Sequence, residues 1–435
     1  MKKLIATLCA VMCIFMSGMA VSAEENENIL FEKQEGNIRY TVYEDGPVLF
    51  APADAAYRWC SIPDMVMYLE GGEDEEYSKT EYILYQEWNS AKTIIVEDGI
   101  TEIGDFAFHH MHVERAEFSD DVTAIGTGAF MQGYMPFLDE TVYPQNVGYI
   151  PERGFYECKN LTTAHIPAQI KRIGTKAFQN CTALETVTFP EGLLWINERA
   201  FEGCTALTAA ELPNSVTQIG DYAFRNCIAL TGEINLSSVE VIGSDAFKNC
   251  ESITAIDFGK HLNAIPNRCF YECKALENLV IPDTITTIGM SAFSGCSGLK
   301  EVTLSSGVQE IGSSSFYNCT SLEKLVVLNP EMVFPAQNCL GTVISDILVI
   351  YGYAGSTAEA YAEENNIPFV ALEEPQTGDV NMNGQIGVTD AVMLQKYLLG
   401  QDPLAERNYA LADLTNDGIV DAFDLAVLKH RCLNQ

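Results

Sequence analysis

The sequence predicts an α/β solenoid of about ten coils, followed by a small all-α calcium-binding domain. The phrase Ile-Gly-x-x-Ala-Phe-x-x-Cys-x-x-Leu returns every 23 residues, and two acidic loops spaced by 34 residues lie near the C-terminus. A fixed period of this length is typical of a solenoid, in which each coil buries its apolar face only against its neighbours. The cysteines that mark the period are Cys158, Cys181, Cys204, Cys227, Cys250, Cys273, Cys296 and Cys319.

Each coil starts with a short strand. Leu184, Val187 and Phe189 have the Leu-x-x-Leu-x-Leu spacing, and Thr188 is expected to point outward because side chains alternate along a strand. Pro190 then ends the strand, since proline cannot donate a ladder hydrogen bond.

The second half of the coil is a return leg. Ile196 and the pair Ala200–Phe201 follow at near-helical spacing, so we expect a short helical or irregular segment, in which the small alanine lets neighbouring legs approach. Glycine marks the turn between the legs. It recurs at Gly174, Gly220, Gly243, Gly289 and Gly312.

This pattern resembles the BspA-type bacterial leucine-rich repeats. The resemblance covers roughly Ile94 to Leu372 and implies a leucine-rich repeat solenoid with its C-terminal cap over residues 93–372. Within that cap, a helix is expected to start at Ser356 or Thr357, which are both good N-cap residues.

The N-terminal residues do not follow the repeat. Residues 1–23 combine Lys2-Lys3, an apolar run and the small-residue site Val21-Ser22-Ala23, which is typical of a secretory signal peptide. Residues 24–92 are interpreted as an N-terminal cap region, in which the alternating segment 38–43 pairs with 48–50 as a hairpin.

Composition restricts the partners and the location. The 435 residues carry a formal net charge of -35, which repels phosphate backbones, so nucleic acid is not an expected partner. Beyond the signal peptide no stretch reaches the ~18 apolar residues that a membrane span needs. We therefore expect a secreted, extracellular protein with no membrane span.

The cysteine ladder predicts thiols in place of disulfides. Fourteen cysteines in an exported chain would ordinarily indicate disulfides. Here eight share one repeat position, and side chains at identical positions of adjacent coils point the same way instead of toward each other. Free cysteine behaves as a small hydrophobe. We expect reduced thiols in the core, with Cys269 and Cys339 as further core residues.

Residues 378–435 form a separate domain after the polar linker 373–377. Each of its two loops has side-chain oxygens at positions 1, 3, 5 and 12, a backbone carbonyl at position 7 and glycine at position 6, as a calcium loop of the EF-hand kind requires. Each loop leads into an apolar helix. The predicted ligands of two Ca²⁺ ions are Asp379, Asn381, Asn383, Gln385 and Asp390, then Asp413, Thr415, Asp417, Ile419, Asp421 and Asp424.

The duplicated loops resemble a type I dockerin over residues 378–435. The resemblance implies that this domain binds the cohesin module of a scaffoldin and attaches the protein to a cellulosome-type complex. It also implies that residues before the twelfth loop position choose the cohesin, with polar contacts from the helices. The corresponding residues are Val388, Thr389, Lys396, Ala422, Phe423, Lys429, His430 and Arg431.

The outward strand positions of the repeats are the candidate ligand face. They are small, mostly polar and without aromatic rings, which favours an unknown protein or cell-surface ligand over a polysaccharide. A spacer without any ligand is the simpler alternative. The residues of this face are Thr163, His165, Thr186, Thr188, Glu211, Asp257, Asn278, Glu301 and Thr303.

No catalytic site is recognisable, so we expect no enzyme. The His109-His110-x-His112 segment has no evident fourth ligand for a metal. The sequence therefore favours a non-catalytic binding protein. The alternative is a plant polysaccharide-degrading enzyme or carbohydrate-binding module on a leucine-rich scaffold.

Overall fold

The computed structural model describes most of the chain after residue 92 and several strands before it. The predicted signal peptide and Asn383 lie outside the described residues. By compactness the chain divides into two units, Met1–Ile253 and Thr254–Gln435. The described residues are 29–35, 38–43, 48–52, 59–60, 93–96, 98–113, 115–139, 142–335, 339–340, 347–373, 376–382, 384–401, 404 and 406–433.

The coils of the first unit each contain a longer front strand and a two-residue back strand. Both kinds pair in parallel with the equivalent strand of the next coil, as Thr163 pairs with Thr186 and Thr186 with Ala209. The front strands are Thr93–Val96, Arg115–Phe118, Phe137–Leu138, Thr163–His165, Thr186–Thr188, Ala209–Ala210 and Gly232–Asn235. The back strands are Glu102–Ile103, Ala124–Ile125, Tyr149–Ile150, Arg172–Ile173, Trp195–Ile196, Gln218–Ile219 and Val241–Ile242.

These strands confirm the solenoid, which has about 12 coils. Val187 is buried and Thr188 is exposed, as the alternation predicts. The return leg takes the irregular of the two expected forms, because the described coil residues form back strands and turns there and no α-helix. The front ladder is interrupted after Ala210, and Gly232 in the following front strand adopts φ 88°.

The glycine after the back strand has a steric reason. At Gly174 a Cβ atom would lie 2.7 Å from the carbonyl oxygen of Ile150 in the preceding coil. The left-handed backbone lies elsewhere in the leg, for example at Lys176 (φ 59°) and Asn180 (φ 61°). The repeat glycine therefore permits close approach of two coils, and non-glycine residues form the tight turns.

Phenylalanine and cysteine fill the core of the first unit. Ring centroids of Phe155, Phe178 and Phe201 lie 5.1–5.2 Å apart with planes within 9° of parallel. The thiol of Cys181 is buried and donates to the carbonyl oxygen of Phe155, one coil earlier, at 3.0 Å. All eight ladder cysteines are buried and outside any disulfide, and so are Cys269 and Cys339, which confirms the prediction that they are core residues.

The N-terminal hairpin is confirmed and extended. Ile38–Tyr43 pairs antiparallel with Val48–Pro52, and Ile29–Glu35 adds a third antiparallel strand. Val48–Pro52 then pairs in parallel with Thr93–Val96, the first front strand. Trp59–Cys60 pairs with the first back strand of the coils. This region therefore covers the end of the array.

The second unit continues the same coil design and ends in helices. Its front strands are Ile253–Asp257, which begins at the last residue of the first unit, Asn278–Ile281, Glu301–Leu304, Lys324–Val327, Val349–Tyr353 and Phe369–Leu372. Its back strands are Ala264–Ile265, Thr287–Ile288 and Glu310–Ile311. The cap helix is Thr357–Glu364, with Ser356 as N-cap. The C-terminal helices are Val388–Leu398, Glu406–Ala412 and Ala422–Leu433.

The C-terminal helices enclose a small core. Val380, Leu394, Ala412 and Leu428 are among its six buried apolar residues. Within the described residues no helix has the length and apolar character that crossing a membrane requires.

Candidate functional site

The two C-terminal loops share one backbone design. Loop position 6 is glycine in both, and Gly384 and Gly418 adopt φ 83° and 85°. Because L side chains rarely occupy this region, glycine permits the sharp turn that a calcium loop needs. No atom lies within 4 Å of where a Cβ would be at either glycine, so there is room for a side chain. The positive φ angle is therefore what requires glycine at this position.

In the first loop two carboxylates are buried. The Asp379 side chain accepts from the Gly384 N–H at 2.9 Å. Asp390, at position 12, accepts from the N–H groups of Asn381 at 2.9 Å and Gly387 at 2.8 Å. Asp379 is 1% exposed and Asp390 is fully buried. Gln385, whose carbonyl is the predicted ligand, is exposed.

The second loop repeats this arrangement. Asp413 accepts from the N–H groups of Asp417 at 3.1 Å and Gly418 at 2.8 Å. Buried Asp424 accepts from Thr415 at 2.9 Å and Asp421 at 2.8 Å. Burial acts to raise the pKa of Asp424, but hydrogen bonds from these backbone groups outweigh it and hold the pKa below its usual range.

Two further predicted ligands of the second loop accept hydrogen bonds from nearby backbone groups. The Asp417 carboxylate accepts from the N–H of Ile419, and that of Asp421 accepts from Phe423. Throughout the described residues, no group of three or more His, Cys, Asp or Glu side chains forms a metal site.

The donor set fits calcium. Asp390 and Asp424 are fully buried, and neither forms an ion pair with a described basic side chain. A buried carboxylate without a cation is costly. Hard oxygen donors around a glycine turn are the ligands that Ca²⁺ prefers.

Exposed apolar side chains lie at the start of both loop helices. Val388 is 71% exposed and Phe423 is 74% exposed. Phe423 therefore does not turn inward onto the first helix. Thr389 is also exposed, and its hydroxyl accepts from the Asn381 amide at 2.9 Å.

The remaining candidate contact residues are exposed as well. Lys429 donates to Gln395 on the first loop helix at 3.0 Å, and Arg431 donates to the Thr377 carbonyl at 2.6 Å. These two cations therefore also hold the domain together. The other exposed members of the set are Lys396, Ala422 and His430.

On the front face of the first unit, exposure agrees with the sequence. His165 and Thr188 are exposed, and the imidazole Nδ1 lies 3.2 Å from the threonine hydroxyl. Glu211 and Thr186 are exposed, and Thr163 is half-buried. The candidate positions here form an open, hydroxyl-rich surface.

The front face of the second unit has a different character. One row pairs Val280 with Thr303, Thr303 with Val326, Val326 with Tyr351 and Tyr351 with Val370. The Val280 side chain is 63% exposed. The expected absence of aromatic rings therefore does not hold toward the end of the array, where the half-buried Tyr351 lies in this row.

A charged row runs beside it. Lys324 donates to Glu301 at 2.7 Å, and its ammonium lies 5.5 Å from the centre of the Tyr351 ring. Glu301 and Thr303 are half-buried, and Asp257 and Asn278 are exposed.

The histidine segment belongs to the coil core and its border. His109 is 6% exposed, and its Nε2 lies 3.0 Å from the Gln132 amide oxygen. Gln132 donates in turn to Glu157 at 3.1 Å. This hydrogen-bonded row across three coils gives the segment a structural role.

One functional element was absent from the sequence prediction. Helix Glu406–Ala412 precedes the second loop, and its buried Asn408 donates to the Val380 carbonyl at 2.9 Å. Tyr409 on the same helix accepts from the Val420 N–H with its hydroxyl. The spacing of Leu404 and Leu411 was the available signal.

Comparison with known proteins agrees with both parts of this architecture. A BspA type leucine rich repeat region, in six copies, matches residues 77–147, 133–238 and 232–333, and a dockerin type I domain matches residues 377–433. The fold and loops thus define a leucine-rich repeat protein with a type I dockerin. The chain belongs to the BspA-type leucine-rich repeat family.

Solved structures with the same repeat are also similar. A leucine rich cell surface protein from Faecalibacterium prausnitzii is 22% identical, with 68% of this chain and 94% of that chain covered and a TM-score of 0.32. A leucine-rich repeat protein from Bacteroides ovatus is 18% identical, with 82% and 100% covered and a TM-score of 0.38. No curated protein matches the chain.

The two families assign the chain a cellulosome-type role in protein interaction. Both kinds of domain are non-catalytic. Type I dockerins bind calcium and have a cohesin as partner in general, and proteins that carry them are typically extracellular.

Proposed function

We propose that this is a secreted, non-catalytic component of a cellulosome-type complex. Residues 378–435 bind a scaffoldin cohesin when both loops hold Ca²⁺, and the repeats over 93–372 present a surface for a protein or cell-surface ligand. The observation that carries the proposal is the pair of loops with buried Asp390 and Asp424, each preceded by an exposed apolar residue, Val388 or Phe423. Export through the signal peptide 1–23 belongs to the same proposal.

Calcium supplies positive charge that holds the loop oxygens in one arrangement. The first ion is assigned to Asp379, Asn381, Asn383, Asp390 and the Gln385 carbonyl. The second ion is assigned to Asp413, Thr415, Asp417, Asp421, Asp424 and the Ile419 carbonyl. With the loops fixed, the helices Val388–Leu398 and Ala422–Leu433 present their exposed residues in a constant geometry.

The two helix starts are not equivalent. Val388-Thr389 offers a β-branched pair with one hydroxyl, whereas Ala422-Phe423 offers a large ring beside a small residue. Burying the exposed Phe423 ring contributes about 1.5–3 kcal/mol, which exceeds what Thr389 contributes. The proposed consequence is that the cohesin binds mainly in one orientation, on the second helix.

Cohesin affinity of the full chain tests this proposal. Phe423→Ala should weaken binding by about tenfold or more, and Thr389→Ala should change it little, because its hydroxyl already accepts from Asn381. Isothermal titration calorimetry with scaffoldin cohesins, with and without calcium, measures the cohesin affinity of both variants. Small equal losses in the two variants, with collapse only in the double variant, would mean two interchangeable faces. Absence of calcium-dependent binding to any cohesin would contradict the proposed function itself.

The enzymatic alternative has a separate test. Incubating the protein with a panel of plant polysaccharides should release no sugar. Release that a point mutation abolishes would favour the enzyme.

A further inference from the structure

The back strands of the first unit carry a row of outward residues that no role described so far uses. In register, Tyr149 pairs with Arg172, Arg172 with Trp195, Trp195 with Gln218 and Gln218 with Val241. Trp195 is 41% exposed at the centre of this row. The back strands thus expose an indole, whereas the front face of the same unit exposes mainly hydroxyl groups.

Arg172 is held in place without a carboxylate. Its guanidinium lies 5.6 Å from the centre of the Tyr149 ring. That ring is itself fixed, because the Tyr149 hydroxyl donates to the Ile125 carbonyl at 3.1 Å and accepts from the Ile125 N–H at 3.2 Å. A guanidinium stacked by its face keeps its N–H donors available around its edge.

Lys171 is the second cation of the same coil. Its side chain runs across Gly192 of the next coil, where it leaves no room for a Cβ atom. Neither Lys171 nor Arg172 forms an ion pair within the described part of the chain. Most nearby cations do, as in Arg199 with Glu198, Arg225 with Glu202 and Lys248 with Asp245.

The charge balance makes this pair notable. The chain has 60 acidic and 25 basic residues, so an exposed cation ordinarily finds a carboxylate near it. Two adjacent cations without one suit a ligand that carries its own carboxylates.

The repeat of the row suits a linear chain of sugars. Neighbouring back strands are ~4.8 Å apart, which is close to the length of one pyranose unit in an extended polysaccharide. A flat aromatic ring packs against the C–H face of a sugar, and Gln218 places an amide one coil further on. One sugar unit per coil would therefore meet Arg172, Trp195 and Gln218 in turn.

We propose that this row, the back-strand platform of Lys171, Arg172, Trp195 and Gln218, binds a linear polysaccharide that carries uronic acid carboxylates. The indole packs against one sugar ring while Arg172 and Lys171 bind the carboxylates beside it. The front face remains free for a protein ligand.

The test is affinity electrophoresis of the full chain in gels that contain polygalacturonate, with a neutral β-glucan and polyglutamate as comparison polymers. The wild-type protein should be retarded by polygalacturonate alone. Trp195→Ala and Arg172→Gln should each weaken retardation about tenfold, and added salt should weaken it in the wild type. Lys300→Gln removes an exposed cation that pairs with Glu277 on the second unit, and should leave retardation unchanged.

Three results would overturn the proposal. The first is no retardation by polygalacturonate. The second is equal retardation by polyglutamate, because it would mean that the protein binds any polyanion. The third is equal retardation by the neutral glucan. Trp195→Phe keeps an aromatic ring at the same position and should retain binding. If Trp195→Ala is less stable in thermal unfolding, the comparison of Arg172→Gln with Lys300→Gln still decides the outcome. Cohesin binding should be the same in all variants.

Discussion

The coils and the C-terminal domain bury different kinds of side chain. In the eight coils from Cys158 to Cys319, each repeat adds a buried phenylalanine and a buried thiol, and Phe178 and Phe201 stack at 5.1 Å. In the C-terminal domain, a core cluster of six buried apolar residues shares the interior with the carboxylates of Asp379, Asp390 and Asp424. A small core that also buries negative charge needs a cation, whereas a long ladder of rings does not. We therefore expect opposite responses to pH and to chelation.

The largest effect should come from alkaline pH, and it should be confined to the coils. Burial raises the pKa of Cys158 and of Cys319 to about 12. An unfolded thiol ionises near ~8.5, so the stability that each thiol contributes is complete below that pH and is lost as pH rises toward the folded value. At pH 10 the loss is about 2 kcal/mol per thiol. Denaturant unfolding between pH 7 and 11 measures it.

A variant with one thiol fewer is the control for this prediction. Cys227→Ala should show a shallower dependence on pH than the wild type, because burial also raises the pKa of Cys227 well above its usual value. Parallel profiles would show that the Cys227 thiol has the same pKa in the folded and unfolded states. Titration of the denatured, unreduced protein should find at least the eight ladder thiols free.

Chelation of calcium should unfold the C-terminal domain. Removing Ca²⁺ from the full chain should expose the amides of Val388–Leu398 and Ala422–Leu433 to hydrogen exchange, because metal binding energy is folding energy where the ligands are. The amides of the coils should keep their protection. Retained protection of both helices after chelation would show that the six-residue core suffices by itself.

A third prediction compares two phenylalanines. Phe201 is fully buried between neighbouring rings, and Phe423 is 74% exposed. Phe201→Ala should lower the free energy of unfolding of the coils by about 3–5 kcal/mol through lost burial and a cavity. Phe423→Ala should leave that transition unchanged. A loss under about 1 kcal/mol for Phe201→Ala would mean that the stack closes over the gap.

The smallest effect should separate the two calcium loops. The second loop has Asp413, Asp417, Asp421 and Asp424, whereas the first has only Asp379 and Asp390. More carboxylates should make the second site tighter. Calcium titration of the full chain should therefore show two unequal steps, and Asp413→Asn should remove the tighter one. If Asp379→Asn removes it instead, charge is not the deciding factor.

Much of this architecture followed from the sequence because the buried positions repeat. Phe178 stacks on phenylalanines of both adjacent coils, and Cys181 has a cysteine at the same place on either side, so packing fixes their residue types. Val187 is also buried, but it pairs with Ala164 and Ala210. The form of the return leg did not follow, since its left-handed positions hold such different residues as Lys176 and Asn180. Several conformations of the side chain and backbone are compatible with those residues, and only the contact with the next coil selects one.

Outward residues were predictable only in part. The front face of the first unit is polar as expected, but the apolar row from Val280 to Val370 became visible only when registry placed those residues side by side. Trp195 stands at a position where other coils have Arg172, Gln218 or Val241. Such a residue does not recur with the repeat period, so the sequence pattern does not mark it. Its neighbours in the structure come from other coils. The exposure of Phe423 likewise depended on how its helix packs.

The identity of successive coils also bears on how the array changes over generations. Cys181 and Cys204 occupy the same place, and each thiol donates to the phenylalanine carbonyl of the coil before it. A recombination event that removes residues 182–204 would join Cys181 to Thr205 in the setting that Cys204 now has. Unequal crossing-over between such copies therefore alters the number of coils in whole steps. Each product would keep the stacked phenylalanines and the buried thiols of the remaining coils.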